Sequence, residues 1–178
     1  MKLYRFSPID DQKTLLEAVD YVAKQATKLY FRTVGEVEPE LINSLTIFSH
    51  YDEEFKSLRQ MISKLGDPYN QNNGPRVKLH KPIHVTNAAF EQNGQQKSVE
   101  TTIKYLRIRR PDPYRMQVGC CDLRADFASP DFVNAVLSPD EEKSPRLIKR
   151  SEYEMLEFFD PEVDVLAYVV SDSITSKQ

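Results

Sequence analysis

Tryptophan is absent from this 178-residue sequence, glycine occurs only five times and cysteine only twice. Each shortage excludes something. Without Trp, the nine Tyr and nine Phe must supply the large aromatic side chains of the core. Gly35, Gly66, Gly74, Gly94 and Gly119 are too widely spaced for a GxGxxG dinucleotide fingerprint or a Walker phosphate loop. Gly-x-Ser-x-Gly, His-Glu-x-x-His and paired Cys-x-x-Cys elements are missing as well. Cys120 and Cys121 are adjacent, and neighbours on a strand leave from opposite faces. They form neither a disulfide framework nor a Cys-x-x-Cys site, which suits buried structural thiols in a reduced, cytoplasmic protein. No apolar run reaches the ~18 residues of a membrane span. Met1–Phe6 lacks the apolar stretch of a secretory signal, so a soluble protein with no membrane partner is the expectation.

What is present is an ordinary globular balance, with 40% hydrophobic and 29% charged residues. A net charge of −3 argues against a chain wholly devoted to coating nucleic acid or anionic lipid, while leaving room for a local basic patch. A chain of this size buries about 70% of its unfolded surface, so it folds without a metal or cofactor, and none is expected. The length fits a single α+β domain over residues 1–172, with a polar tail at 173–178 that should fray.

Periodicity places the elements. Met1 to Ile9 alternates loosely and reads as a first strand ended at Pro8. Leu15, Leu16, Val19, Val22, Ala23, Ala26, Leu29 and Tyr30 form one helical face, with Asp10 or Asp11 as cap. Leu45–Phe48 reads as a short strand. Phe55, Leu58, Met61, Ile62 and Leu65 mark a second helix, with Gly66 as its C-cap. Residues 66–75 read as a surface loop. Beyond it the chain turns to sheet. Asn93-Gly94 marks a hairpin, and the apolar phase changes near Tyr105 and again at Gly119, where bulges are expected. Ser129-Pro130 opens a short helix near 130–138. Leu147–Phe159 and the apolar Val163–Val170 form a last strand pair, the final strand lying inside the sheet. The fold class is therefore α+β: two N-terminal helices on a largely antiparallel, mixed sheet of about six to eight strands.

Three groups of residues could carry chemistry. The first is Lys104, Arg107, Arg109, Arg110 and Arg115, interleaved with Tyr105 and Tyr114. Guanidinium forks bind phosphate or carboxylate, and tyrosine faces stack bases or sugars. Arg107 and Arg109 leave one strand face about 7 Å apart. The plainer reading is a solvated strand face paired with surface acids such as Glu100. The second group, Arg76, Lys78, His80, His84 and Thr86, occupies the even positions of a segment whose odd positions are apolar. On a straight strand His80 and His84 stand about 13 Å apart, too far to share a metal. The third is acidic: Asp160, Glu162 and Asp164, with Asp122 and Asp126. Its spacing is not that of a calcium loop. No metal site is assigned.

His84-Val85-Thr86 is similar to the His-x-Thr element of the two-histidine phosphoesterases. That family uses two such elements, and neither His50-Tyr51-Asp52 nor His80-Lys81-Pro82 supplies the second. What remains is a candidate acid–base pair of His84 and His50, should the fold unite them. His50 also sits at a strand-to-helix junction beside Asp52, Glu53 and Glu54, where a polar turn serving the helix dipole is the plainer account.

The reading with most support is a non-catalytic binding module. Its partner would be a phosphate-bearing or other anionic ligand, nucleotide or nucleic acid, gripped by Arg107, Arg109, Arg110, Arg115, Tyr105, Tyr114, Arg76 and Lys78. Two alternatives stand beside it: a small phosphodiesterase or hydrolase using His84 and His50, and an accessory protein that meets a protein partner and has no small-molecule site.

Overall fold

The computed structural model describes residues 4–34, 42–71, 74–92, 95–123, 134, 136–137, 144–151 and 154–170, with residues 87–92 and 95–97 in backbone only. Helix α1 spans Gln12–Val34. Asp11 caps it, accepting from the Thr14 N–H at 2.8 Å, and this bond holds the Asp11 carboxyl below its usual pKa. The face expected from periodicity is buried, except Leu16, which is 37% exposed. Helix α2 spans Asp52–Leu65, carries three acids in its first turn and ends at Gly66. The N-terminal strand expected over Met1 to Ile9 is not seen in its described part: residues 4–11 are irregular and are held instead by side-chain bonds described below, and residues 1–3 lie outside the described residues.

The strands are β1 (Ile42–Phe48), β2 (Gly66–Pro68), β3 (Arg76–Gln92), β4 (Gln95–Arg109), β5 (Gly119–Leu123), β6 (Arg146–Lys149), β7 (Glu154–Phe158) and β8 (Val165–Val170). All eight join one sheet in the order β2-β3-β4-β1-β5-β8-β7-β6. The β1–β4 and β5–β8 pairings are parallel and the others antiparallel, so the sheet is mixed as the fold class requires. Gly66–Pro68, expected as loop, is a short edge strand. The hairpin expected around Asn93-Gly94 is present as the β3–β4 pair, whose turn lies outside the described residues. So do most of the helix expected near 130–138 and the tail at 173–178.

The phase change expected at Tyr105 has a physical cause. The β3–β4 register shifts between Lys78 and Ile83, and buried positions on β4 switch from Thr101 and Ile103 to Leu106 and Ile108. No shift occurs at Gly119, which pairs in continuous register with both β1 and β8. Both sides of β5 are covered there, so Cys120 and Cys121 are both buried and the apolar phase only looked broken. The last strand is interior, between β5 and β7.

Both helices contribute to one core with Leu45, Ile47, Leu106, Ile108, Cys121 and Leu123 from one sheet face. Alternation sends the intervening residues to the other face, where Phe48, Cys120 and Leu166 form a small second cluster. Among the described residues no helix is long and apolar enough to cross a membrane.

Candidate functional site

The second sheet face carries the arginines. β3 and β4 pair Arg76 with Arg107; β4 and β1 pair Arg107 with Thr46; β1 and β5 pair Thr46 with Cys120. Residues paired in this way point to the same side, so Arg76, Arg107, Thr46 and Cys120 form one transverse row. A second row, about 7 Å along the strands, runs Asp67, Lys78, Tyr105, Ser44, Asp122, Tyr168, Glu157 and Arg146 through consecutive register partners. It crosses all eight strands without an aliphatic side chain. Arg109 pairs with Phe48 on the other side of the first row.

The electrostatics of the first row are unbalanced. Arg76 is only 6% exposed, its Nε has no hydrogen-bond partner, and no carboxylate of the described residues lies within ion-pair reach of it. Burial and the neighbouring Arg107 lower its pKa, and Asp122 opposes them. Arg107 donates from Nε to the Thr46 hydroxyl at 3.1 Å. Arg109 and Arg115 each lie about 5 Å from the Phe48 ring, at 5.2 and 5.1 Å. Burial, followed by Arg115, lowers the Arg109 pKa. Asp122 is enclosed enough that burial lifts its carboxyl pKa, against the pull of Arg107 and Arg76. Beside Asp122 the buried Ser44 Oγ also lacks a partner. Tyr69 packs on Tyr105 with ring centroids 4.8 Å apart.

The turn after β4 is tied to the end of β1. Ser49 Oγ donates to the Arg109 carbonyl at 2.6 Å and the Asp112 N–H donates to the Ser49 carbonyl. Asp112 then closes the turn through the N–H groups of Tyr114 and Arg115. This folds Arg115 back over Phe48, whereas Arg110 is exposed and Tyr114 is 93% exposed. Lys78 is exposed at the edge of the second row. Of the eight residues assigned to ligand binding, the fold thus gathers Arg76, Lys78, Tyr105, Arg107, Arg109 and Arg115 on one face.

No family model matches the chain, and no curated protein matches it. A solved structure described as "Structural Genomics, Protein EC4020" is similar in fold, with a TM-score of 0.51. It shares 16% identity over 96% of this chain and 98% of that one. A likeness at that identity speaks for the fold alone.

The histidines are not brought together. His84 is exposed and faces Glu100 at 3.4 Å and Thr102 at 3.3 Å. Thr102 stands seven residues before Arg109, the partner of Phe48, so about 23 Å of strand separates His84 from the end of β1. His50 lies beyond that end and is buried. Tyr4 lies flat on its ring at 3.8 Å. Its Nε2 sits 3.1 Å from the Gln117 carbonyl, which can only accept, and its Nδ1 sits 2.6 Å from Ser7 Oγ. Glu54 accepts from the His50 N–H at 2.7 Å and the Ile9 N–H at 2.9 Å. These bonds, with that from the Tyr4 hydroxyl to the Pro113 carbonyl, strap the N-terminal segment across the β1–α2 junction. The enclosed ring and the buried Ser7 make this a structural clasp.

Other candidates are accounted for locally. His80 pairs with Asp67. Asp164 is taken by Arg5 and Tyr21, and Asp160 by Arg32. Burial pushes the Cys120 thiol pKa up to about 12 and that of Cys121 well above the ordinary value. Neither offers a thiolate near neutral pH. Among the described residues no three His, Cys, Asp or Glu side chains are grouped to hold a metal. An open hollow of about 590 Å³ lies between Phe6 and the outer side of α1 at Leu16 and Asp20. It is lined by helix α1, on the side of the sheet away from the arginines.

Ser44, Thr46 and Tyr69 are not among the residues the sequence singled out, and Asp122 stood there only in the acidic group, apart from the arginines. A signal for two of them existed: Ser44 and Thr46 alternate with Leu45 and Ile47, the pattern of a strand with one polar face.

Proposed function

We propose that this chain is a non-catalytic binding module for a phosphate-bearing or otherwise anionic ligand, held on the sheet face by Arg76, Arg107, Arg109 and Arg115. One observation carries the reading. Arg76 is buried beside a second arginine and its Nε has no partner. A buried cation beside a like charge, drawn to Asp122 but in no ion pair with it, is costly to keep, and a bound anion would neutralise it. Paired guanidiniums also match the geometry of phosphate oxygens. Tyr105 and Tyr69 offer ring faces on which a base or sugar would stack. The buried free thiols fit a reducing cytoplasm.

The phosphodiesterase alternative needs His50 and His84 in one site, and their separation speaks against it. Titration of the purified chain with inorganic phosphate and nucleotides tests the binding reading. Saturable binding is expected, with a rise in melting temperature that grows with ligand concentration. An Arg107→Ala, Arg109→Ala double variant that bound with undiminished affinity would overturn the role of this strand.

A further inference from the structure

We infer that the ligand is a small hydroxylated phosphate ester, a sugar phosphate or the ribose phosphate end of a nucleotide, with its hydroxyl met by Ser44 and Asp122. This rests on the anion reading above and adds the second half of the ligand. Two polar atoms on this face, Arg76 Nε and Ser44 Oγ, are buried without partners. Unpaired buried polar atoms are uncommon in folded proteins, and two on one face call for a single explanation. A fully ionised phosphate ester group supplies acceptors only. It satisfies the guanidiniums of Arg76 and Arg107 and offers the Asp122 carboxylate no donor. A hydroxyl group can donate to the Asp122 carboxylate while accepting from Ser44, its register partner across β1 and β5.

The two rows stand about 7 Å apart, a distance that one sugar ring with its phosphate bridges. Tyr105 lies beside Ser44 in the second row and Tyr69 packs on it, which places a ring face along the sugar's path. The same burial argues for a small ligand over a polymer. Single strands run along exposed grooves, whereas Arg76 and Ser44 are buried, at 6% and 2% exposure.

Isothermal titration of the full chain with ribose phosphate, ethyl phosphate, inorganic phosphate and a short single-stranded oligonucleotide lacking terminal phosphates tests this. Ribose phosphate should bind about tenfold tighter than ethyl phosphate, the worth of satisfying a buried polar group. Ser44→Ala should bring the two esters level while leaving ethyl phosphate affinity unchanged. Asp122→Asn should shrink the same preference. Ser44→Ala removes a hydroxyl that has no partner, so its melting temperature should be no lower than wild type, which separates lost recognition from lost folding. Equal affinity of the two esters for the wild-type chain overturns the inference and leaves the anion reading standing. So does a preference that survives Ser44→Ala, or an oligonucleotide that binds as tightly as ribose phosphate. If no phosphate compound binds, the anion reading falls and this inference with it.

Discussion

Arg76 of β3 stands directly opposite Arg107 of β4, and the Arg76 guanidinium is buried with its Nε unpaired. Like charges placed across an antiparallel pair repel, and burial removes the water that would screen them. The sheet therefore carries an unfavourable feature at this pair. Such an arrangement is expected where stability has been given up for binding.

Replacing Arg76 by an apolar side chain of similar length should expose that trade. Arg76→Met is expected to stabilise the free chain by about 1–3 kcal/mol, the typical penalty of an unsatisfied buried polar group. The same variant should lose the stabilisation that phosphate confers on the wild type. Chemical denaturation with and without phosphate measures both effects. A variant less stable than wild type, with phosphate stabilisation retained, would show that Arg76 serves packing instead.

Asp122 makes stability depend on pH in a defined direction. Its folded-state pKa lies above the ordinary 3.8, chiefly because of burial. The native chain thus holds this proton more tightly than the unfolded one. The group's favourable contribution is complete below the unfolded value and is lost as pH rises through the folded value. At neutral pH the half-buried carboxylate is a net cost, which the attraction of Arg107 and Arg76 only partly offsets. Asp122→Asn should accordingly be more stable than wild type at neutral pH, with the gain vanishing as pH falls toward 3.8. Urea denaturation midpoints across that range check the sign.

The clasp around His50 should behave in the opposite way, as a feature the fold depends on. Glu54 accepts two backbone N–H groups in a buried setting, from Ile9 and His50. Glu54→Gln puts an amide donor against one of those donors and should cost about 2 kcal/mol. Phosphate affinity of the folded fraction should stay at the wild-type value, because none of the clasp's bonds is made by Arg76, Arg107, Arg109 or Arg115. Melting curves and titrations on the same preparation separate the two effects.

Gly119 illustrates how closely the site is built. A Cβ there would stand 2.4 Å from the Thr46 carbonyl oxygen and 3.0 Å from a Val22 methyl of α1. That close approach keeps β5 beside β1 with Cys120 level with Thr46, and so keeps Asp122 beside Ser44. The glycine is needed for contact, where the apolar pattern along the segment had suggested a bulge.

Much of the fold was legible because it rests on local chemistry. The face of α1, its Asp11 cap, the first turn of α2 and the apolar run of β8 follow from side-chain periodicity and capping, which act within a few residues. The even positions of Arg76 and Lys78 and the odd positions of Tyr105, Arg107 and Arg109 were likewise readable as the polar faces of two strands. Tertiary pairing alone set which faces meet. β1 enters between β4 and β5, pairing Thr46 with a residue 61 positions away and Ser44 with Asp122. No local pattern names a strand's neighbour, because that choice is made by burying whole faces against the helices and by backbone bonds between distant segments. It was this choice that joined the arginines to Ser44 and Asp122 and left His50 and His84 apart.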